Sequence, residues 1–146
     1  MLNISIAEEC TDAPKKRYVR DFNMDCVMGR IADATDKLSD DIHWNVIGVQ
    51  SITSKGEIAA SLRSMNRNDI VAFSIKNAVL QGTRVVANGT IHLKNGSEVH
   101  FCDIYVFENH TLAAKIKEIT TYSITLNSPV PRTGKTATLT IADTAR

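Results

Sequence analysis

The sequence predicts an α+β domain in which N-terminal helices pack on a curved, mainly antiparallel sheet. Helical periodicity is confined to the first 65 residues and interrupted by one alternating strand. From residue 69 onward, four long runs rich in Val, Ile, Thr, Phe and Tyr follow one another across short turns. That order excludes a parallel doubly wound sheet, whose strands and helices alternate.

Thr11 or Asp12 can cap a first helix with Pro14 in its opening turn, where a proline's missing N–H costs nothing. Tyr18, Val19, Phe22 and Cys26 then recur at helical spacing, so this helix should run to about Val27. Gly29 interrupts it, and Ile31, Ala34 and Leu38 form the stripe of a short second helix that ends at Ser39, Asp40 and Asp41. Ile42, Trp44 and Val46 alternate with His43 and Asn45, the period of a strand, which Gly48 closes. Ser54 with Glu57 three residues on is a capping box, and Ile58, Leu62 and Met65 are the apolar stripe of a third helix. Strands follow over 70–79, 83–93, 99–107 and 114–124, with Gln81-Gly82 and Asn109-His110 suited to two of the connections. Asn95-Gly96 is the strongest hairpin signal, since a type I′ turn needs positive φ at both central positions. Residues 1–126 read as one domain; Pro129 and Pro131 break the ladder, so 127–146 reads as an appended tail with room for one edge strand.

The 146 residues are enough to bury one core without disulfides or a metal. A net charge of +1 lacks the excess of a nucleic-acid or anionic-membrane binder, and the runs Lys15-Lys16-Arg17 and Lys115 with Lys117 read as solvated surface. No stretch approaches the roughly 20 apolar residues that span a bilayer, and the N-terminus lacks a basic start followed by an apolar run. Three widely spaced cysteines, Cys10, Cys26 and Cys102, argue for reduced thiols and a cytoplasmic setting, in which the Asn-x-Ser/Thr sequons carry no weight. The four histidines lack metal-site spacing, and Cys26 has no histidine partner to activate it. Gly134-Lys135-Thr136 echoes the end of a phosphate loop, but Pro129 stands where its first glycine belongs. No cofactor and no metal are expected.

The segments DDIHWNVIGVQSITSKGEI, VVANGTIHLKNGSEVHFCDIYVFE and KIKEITTYSI resemble the SnoaL-like branch of the nuclear transport factor 2-like superfamily, over about residues 14 to 125. The Trp44-x-Val46-x-Gly48 segment and the Phe101-x-Asp103-x-Tyr105-x-Phe107 strand carry the likeness. The resemblance implies a cone-shaped barrel, a pocket between the concave sheet face and the helices, and a homodimer. It does not choose a function, because the superfamily holds isomerases, dehydratases, hydrolases, cyclases and noncatalytic members. Laid on the ketosteroid isomerases, the late aspartate falls on Asp103, the base position near Asn45 or Val46, and the helix tyrosine near Phe22. An amide or alkyl group cannot take a carbon-bound proton and a phenyl ring has no hydroxyl, so that mechanism is disfavoured; Tyr18 is the one local substitute for the tyrosine. The epoxide hydrolases' Asp-Arg-Asp arrangement has no counterpart, because no arginine lies two residues from Asp103.

A two-residue Asn95-Gly96 turn would set Lys94 opposite Ser97 and hence Asn88 beside Asp103, Thr90 beside Phe101 and Val86 beside Tyr105. The other face would be small and apolar, from Val85, Ala87, Gly89, Ile91, Cys102, Ile104 and Val106, and suited to burial against a second subunit. A pocket needs an apolar lining with a few convergent polar groups, which assigns the Asp103 face to the interior.

The expected site is therefore a pocket for a small, largely apolar molecule, lined by Asp103, Tyr105, Phe101, Asn88, Trp44, Asn45, Tyr18 and Phe22. Asp103 and Tyr105 are its polar anchors. A structural role for Asp103, bonded to Asn88 or a tyrosine, stands beside the ligand-facing one. A catalytic reading pairs Asp103 with Tyr18, Asn45, Asn88 or His43 on a carbonyl or a water. A third reading is a dimeric interaction module with a collapsed pocket.

Overall fold

The computed structural model describes residues 2–127. The expected tail and its edge strand lie outside the described residues, as does the Gly134-Lys135-Thr136 segment. A short strand β1 (Asn3–Ile6) and a 3-10 turn precede helix α1 (Pro14–Met28); helix α2 (Ile31–Asp36) follows. Strands β2 (Leu38–Val46) and β3 (Gln50–Ile52) lead to α3 (Lys55–Ser64), and the chain ends in the meander β4 (Ile70–Gln81), β5 (Arg84–Leu93), β6 (Glu98–Phe107) and β7 (Ile116–Leu126). All seven strands form one sheet in the order β1-β4-β5-β6-β7-β2-β3. The pairs β1/β4 and β2/β7 are parallel, and the other four are antiparallel. The predicted α+β class, with helices on a curved and mainly antiparallel sheet, is the one observed.

Local chemistry explains most boundaries. Pro14 opens α1, and Gly29 closes it at φ 79°, a left-handed residue whose N–H reaches the Asp25 and Cys26 carbonyls. The N-cap is Ala13, not Thr11 or Asp12: Thr11 donates to the Glu8 carbonyl, and Asp12 pairs with Lys16 at 2.9 Å. Ser54 caps α3 by accepting from the Glu57 N–H at 3.1 Å, as expected. The polar stripe after α2 is not a helix end. Leu38 and Ser39 are buried at the start of β2, and the backbone N–H of Ile116 bonds the Lys37 carbonyl. Strands β1 and β3 carry no periodic signal in the sequence because they are four and three residues long, with Ile52 the one buried position between them, and the parallel pairing of β1 to β4 joins distant segments that no local pattern can announce.

The register of β5 on β6 differs by one residue from the expectation. Leu93 and Ser97 bracket a three-residue loop in which the Gly96 N–H bonds the Leu93 carbonyl. Gly96 takes φ 88°, while Asn95 is not at positive φ and instead accepts from the Ser97 N–H. This is a type I turn followed by a left-handed glycine, not a type I′ turn. Because side chains alternate along a strand, the slip turns every β5 residue over. Asp103 faces Ala87, Phe101 faces Gly89, Tyr105 faces Val85, and Asn88 lies beside Cys102. The concave face is thus Phe101, Asp103 and Tyr105 over small β5 residues. The convex face carries Asn88, Thr90 and His92 beside Cys102, His100 and Glu98, so it is mixed in polarity and not the smooth apolar surface expected.

Two details shape the concavity. A bulge at Lys76 in β4 leaves Ile75 and Ala78 both buried while Lys76 and Asn77 stay exposed, which bends the strand without losing its inner face. At Gly89 a Cβ atom would stand 1.8 Å from the Ser74 carbonyl oxygen and 2.9 Å from Phe101 Cζ. The absent side chain admits the Phe101 ring, which stacks on Phe73 at 5.8 Å. The helical hairpin is tied to β2 by Asp25, buried, which accepts from Arg30 at 2.9 Å and Lys37 at 2.6 Å. Among the described residues, no helix is long and apolar enough to cross a membrane.

Gly89→Ala should destabilise the domain by about 3 kcal/mol or more, the upper end of overpacking, because backbone blocks the new methyl. An unchanged midpoint in urea denaturation would contradict that close approach. Asp25→Ala should cost about 1.5–3 kcal/mol by the same measurement, the worth of hydrogen bonds to a charged group, since its two cations are exposed enough to rehydrate.

Candidate functional site

A cavity of ≈ 210 Å³ opens between α1, α3 and the concave face of the sheet. Phe22 reaches it from α1, Trp44 from β2, Phe73 from β4, and Phe101, Asp103 and Tyr105 from successive inward positions of β6. Trp44 is both wall and core: its ring packs on Phe22 at 5.8 Å and its Nε1 donates to the Thr121 hydroxyl at 2.9 Å. Phe22 in turn meets the Tyr105 ring edge-on at 6.2 Å.

The polar heart is a short chain of hydrogen bonds. Asn23 donates to the Val19 carbonyl and to the Tyr105 hydroxyl, both at 2.9 Å. Tyr105 in turn donates its hydroxyl hydrogen to Asp103 Oδ2 at 2.7 Å, the length of a charge-assisted bond. The other carboxyl oxygen, Oδ1, is buried with no hydrogen-bond partner among the described residues. Such an atom is rare in a native interior, because leaving it unpaired costs about 1–3 kcal/mol. Burial raises the Asp103 pKa above the ordinary carboxylate value, opposed by the hydroxyls of Tyr105 and, more weakly, Thr121. Burial also lifts Tyr105 well above the usual phenol value, with the Asp103 charge and hydrogen bond adding to it. Cys26, in the same wall, is pushed up to about 12, first by desolvation and then by the charges of Asp25 and Asp103. It is a thiol, not a poised nucleophile.

Five of the eight residues expected from the sequence, Asp103, Tyr105, Phe101, Trp44 and Phe22, meet at this cavity. Three do not line it. Asn88 is turned outward by the one-residue register change and bonds Asn77 on the convex side. Asn45 follows Trp44 on the same strand and therefore points the other way. Tyr18 sits a turn away from the cavity, donates to the Lys37 carbonyl at 2.9 Å and packs on Phe107. Burial lifts its phenol to about 12, with Asp36 and Glu108 adding. His43 is exposed and bonds Ser51. None of the four partners weighed for a catalytic Asp103 therefore lines its cavity. Asn23 and Thr121 do, and no sequence signal marks them: Asn23 is one polar residue on an amphipathic helix, and Thr121 faces inward only through the β6/β7 register.

No family model matches the chain, and no curated protein matches it. Solved structures do. The chain is similar to an NTF2-like protein of unknown function from Cytophaga hutchinsonii, at 26% identity and TM-score 0.59, over 74% of this chain and 97% of that one. A second NTF2-like protein of unknown function, from Burkholderia xenovorans, is 15% identical at TM-score 0.65 and covers 90% of this chain and 99% of its own. Nuclear transport factor 2 from Cryptosporidium parvum is 14% identical at TM-score 0.65, over 85% and 100%. The chain has the nuclear transport factor 2-like fold that its motifs suggested. These likenesses do not single out the SnoaL-like branch.

Tyr105→Phe should take from the Asp103 carboxyl its hydrogen bond at Oδ2 and cost about 1.5–3 kcal/mol where the group is ionised. The sign follows from the charge state: the hydroxyl stabilises the anion, so the loss is full above the folded Asp103 pKa and shrinks as acid protonates the carboxyl. Denaturation of both proteins across pH 3–7 checks it. A penalty that grows toward low pH would contradict this bonding.

Proposed function

We propose that this protein binds a small, largely apolar molecule in the cavity beneath α1, held at its polar end by Asp103 with Tyr105 behind it. One observation carries the reading: a buried carboxyl oxygen without a partner among the described residues borders a space whose other walls are mostly aromatic and aliphatic. A core that used Asp103 only as a strut would satisfy both oxygens. The volume, ≈ 210 Å³, lies below the ~300–1,000 Å³ of pockets for drug-sized ligands, and favours a compact molecule over a polycyclic one. Trp44, the one tryptophan of the chain, is a built-in reporter. Ligand binding should change its fluorescence saturably, and Val99→Phe, which fills the wall beside Phe101, should weaken that response about tenfold or more while the fold survives denaturation assays. Equal binding by the filled variant would place the ligand elsewhere.

The convex face supports a second reading, a homodimer through the sheet. Val79, Tyr122, Ile124 and Leu126 are exposed there, with Ile124 65% accessible. Although the face as a whole is mixed in polarity, Tyr122, Ile124 and Leu126 alternate along β7 as a short apolar row, which suits burial against a second copy. Sedimentation at micromolar concentration should give a dimer, and Ile124→Glu a monomer; a monomeric wild type would end this reading.

A further inference from the structure

The hydrogen-bonding inventory of the cavity is one-sided. Trp44 Nε1 is engaged by Thr121, both Asn23 amide hydrogens by Val19 and Tyr105, and the Tyr105 proton by Asp103. These donors of the inner wall are committed to the protein, and the Thr121 hydroxyl that receives Trp44 is itself turned to the Asp103 carboxyl, so the position left open is an acceptor, Asp103 Oδ1, which has no partner among the described residues. Ser123 adds a hydroxyl only at the exposed rim. The chain from Asn23 through Tyr105 also runs in one direction, each group donating toward the carboxyl, which is the polarity that holds an anion.

The charge inventory points the same way. Among the described residues that line the cavity there is no Lys, Arg or His; the ionisable groups are Asp103, Tyr105 and Cys26, and the last two hold their protons. A carboxyl group that is 6% exposed therefore faces an apolar space that offers it no counter-ion among the described residues. Around it stand Phe22, Trp44, Phe73, Phe101 and Tyr105, whose ring faces carry negative potential. Such a surround is favourable for a cation and unfavourable for an anion.

We propose that the molecule taken by this cavity is a small organic cation, a primary ammonium on a compact apolar or aromatic body. Its N–H group bonds Asp103 Oδ1, and its apolar part fills the aromatic walls. This rests on the binding role proposed above and adds the class of ligand. The size is bounded, since ≈ 210 Å³ equals the volume of about seven water molecules at ~30 Å³ each. Benzylammonium is of that order and has isosteric controls of different charge.

The test titrates the full chain with benzylammonium, benzyl alcohol and benzoate near neutral pH, following Trp44 fluorescence. Benzylammonium should bind on the order of tenfold tighter than benzyl alcohol, with benzoate weakest. Asp103→Asn keeps an acceptor for Tyr105 and removes the charge, so it should abolish the preference for the ammonium. If that variant does not fold, acid supplies the second arm. Lowering the pH protonates Asp103, the one lining group that changes charge, and should weaken benzylammonium while leaving benzyl alcohol unchanged. Benzyl alcohol binding as tightly as benzylammonium, or an ammonium preference that survives both arms, overturns the cation while the binding role stands. Failure of all three probes to perturb Trp44 at millimolar concentration overturns both.

Discussion

The pairing of β5 with β6 is the constraint on which the interior depends. Once Ala87 stands opposite Asp103 and Gly89 opposite Phe101, the concave face has large residues on one strand and small ones on the next. The Phe101 ring can then lie over Gly89 and stack on Phe73, and Asp103 is left beside open space. In the alternative register, Asn88 would reach Asp103 and Thr90 would stand beside Phe101. The carboxyl would gain an amide partner and the face would be polar and filled. A three-residue loop closed by Gly96 in the left-handed region separates the two outcomes.

Asp103 is held by groups from three elements, and their arrangement gives the site its chemical sense. Tyr105 belongs to the same strand, two residues on, and so shares its face automatically. Asn23 comes from α1, whose C-terminal end is joined to the two ends of α2 by the Asp25 ion pairs. Thr121 comes from β7 and also holds Trp44 in place. Displacing any one of these elements would break a bond that orients Tyr105, Trp44 or Asp103, so the cavity's polarity is a property of the assembled layers rather than of a motif.

Burial works against the anion while the Tyr105 hydroxyl works for it, and the balance leaves a raised pKa. That balance gives the carboxyl two ways to become satisfied, by a proton or by a bound donor. Its nearest polar neighbours are committed to one another, and His43, Asn45 and Asn88 lie on the outer side of the sheet. Among the described residues, none of the side chains that the sequence offered as a proton-exchange partner for Asp103 lines its cavity.

Much of this was legible in the residues themselves. The order of helices and strands followed from periodicity, and Pro14, Gly29 and the Ser54 to Glu57 box placed helix ends through interactions only a few residues long. The alternation of Phe101, Asp103, Tyr105 and Phe107 put those side chains on one face whatever the rest of the fold did. What lay across from them was decided only in three dimensions. Asn95-Gly96 is compatible with two loop geometries that differ by one residue, and choosing between them turns β5 over. The roles of Asn23 and Thr121 arise from packing between elements far apart in the chain, and the parallel additions of β1 and β2 bring no local signal with them. Period and turn chemistry act over a few residues, whereas the partner of a buried carboxyl is settled by whichever distant side chain the completed sheet brings within three ångströms of it.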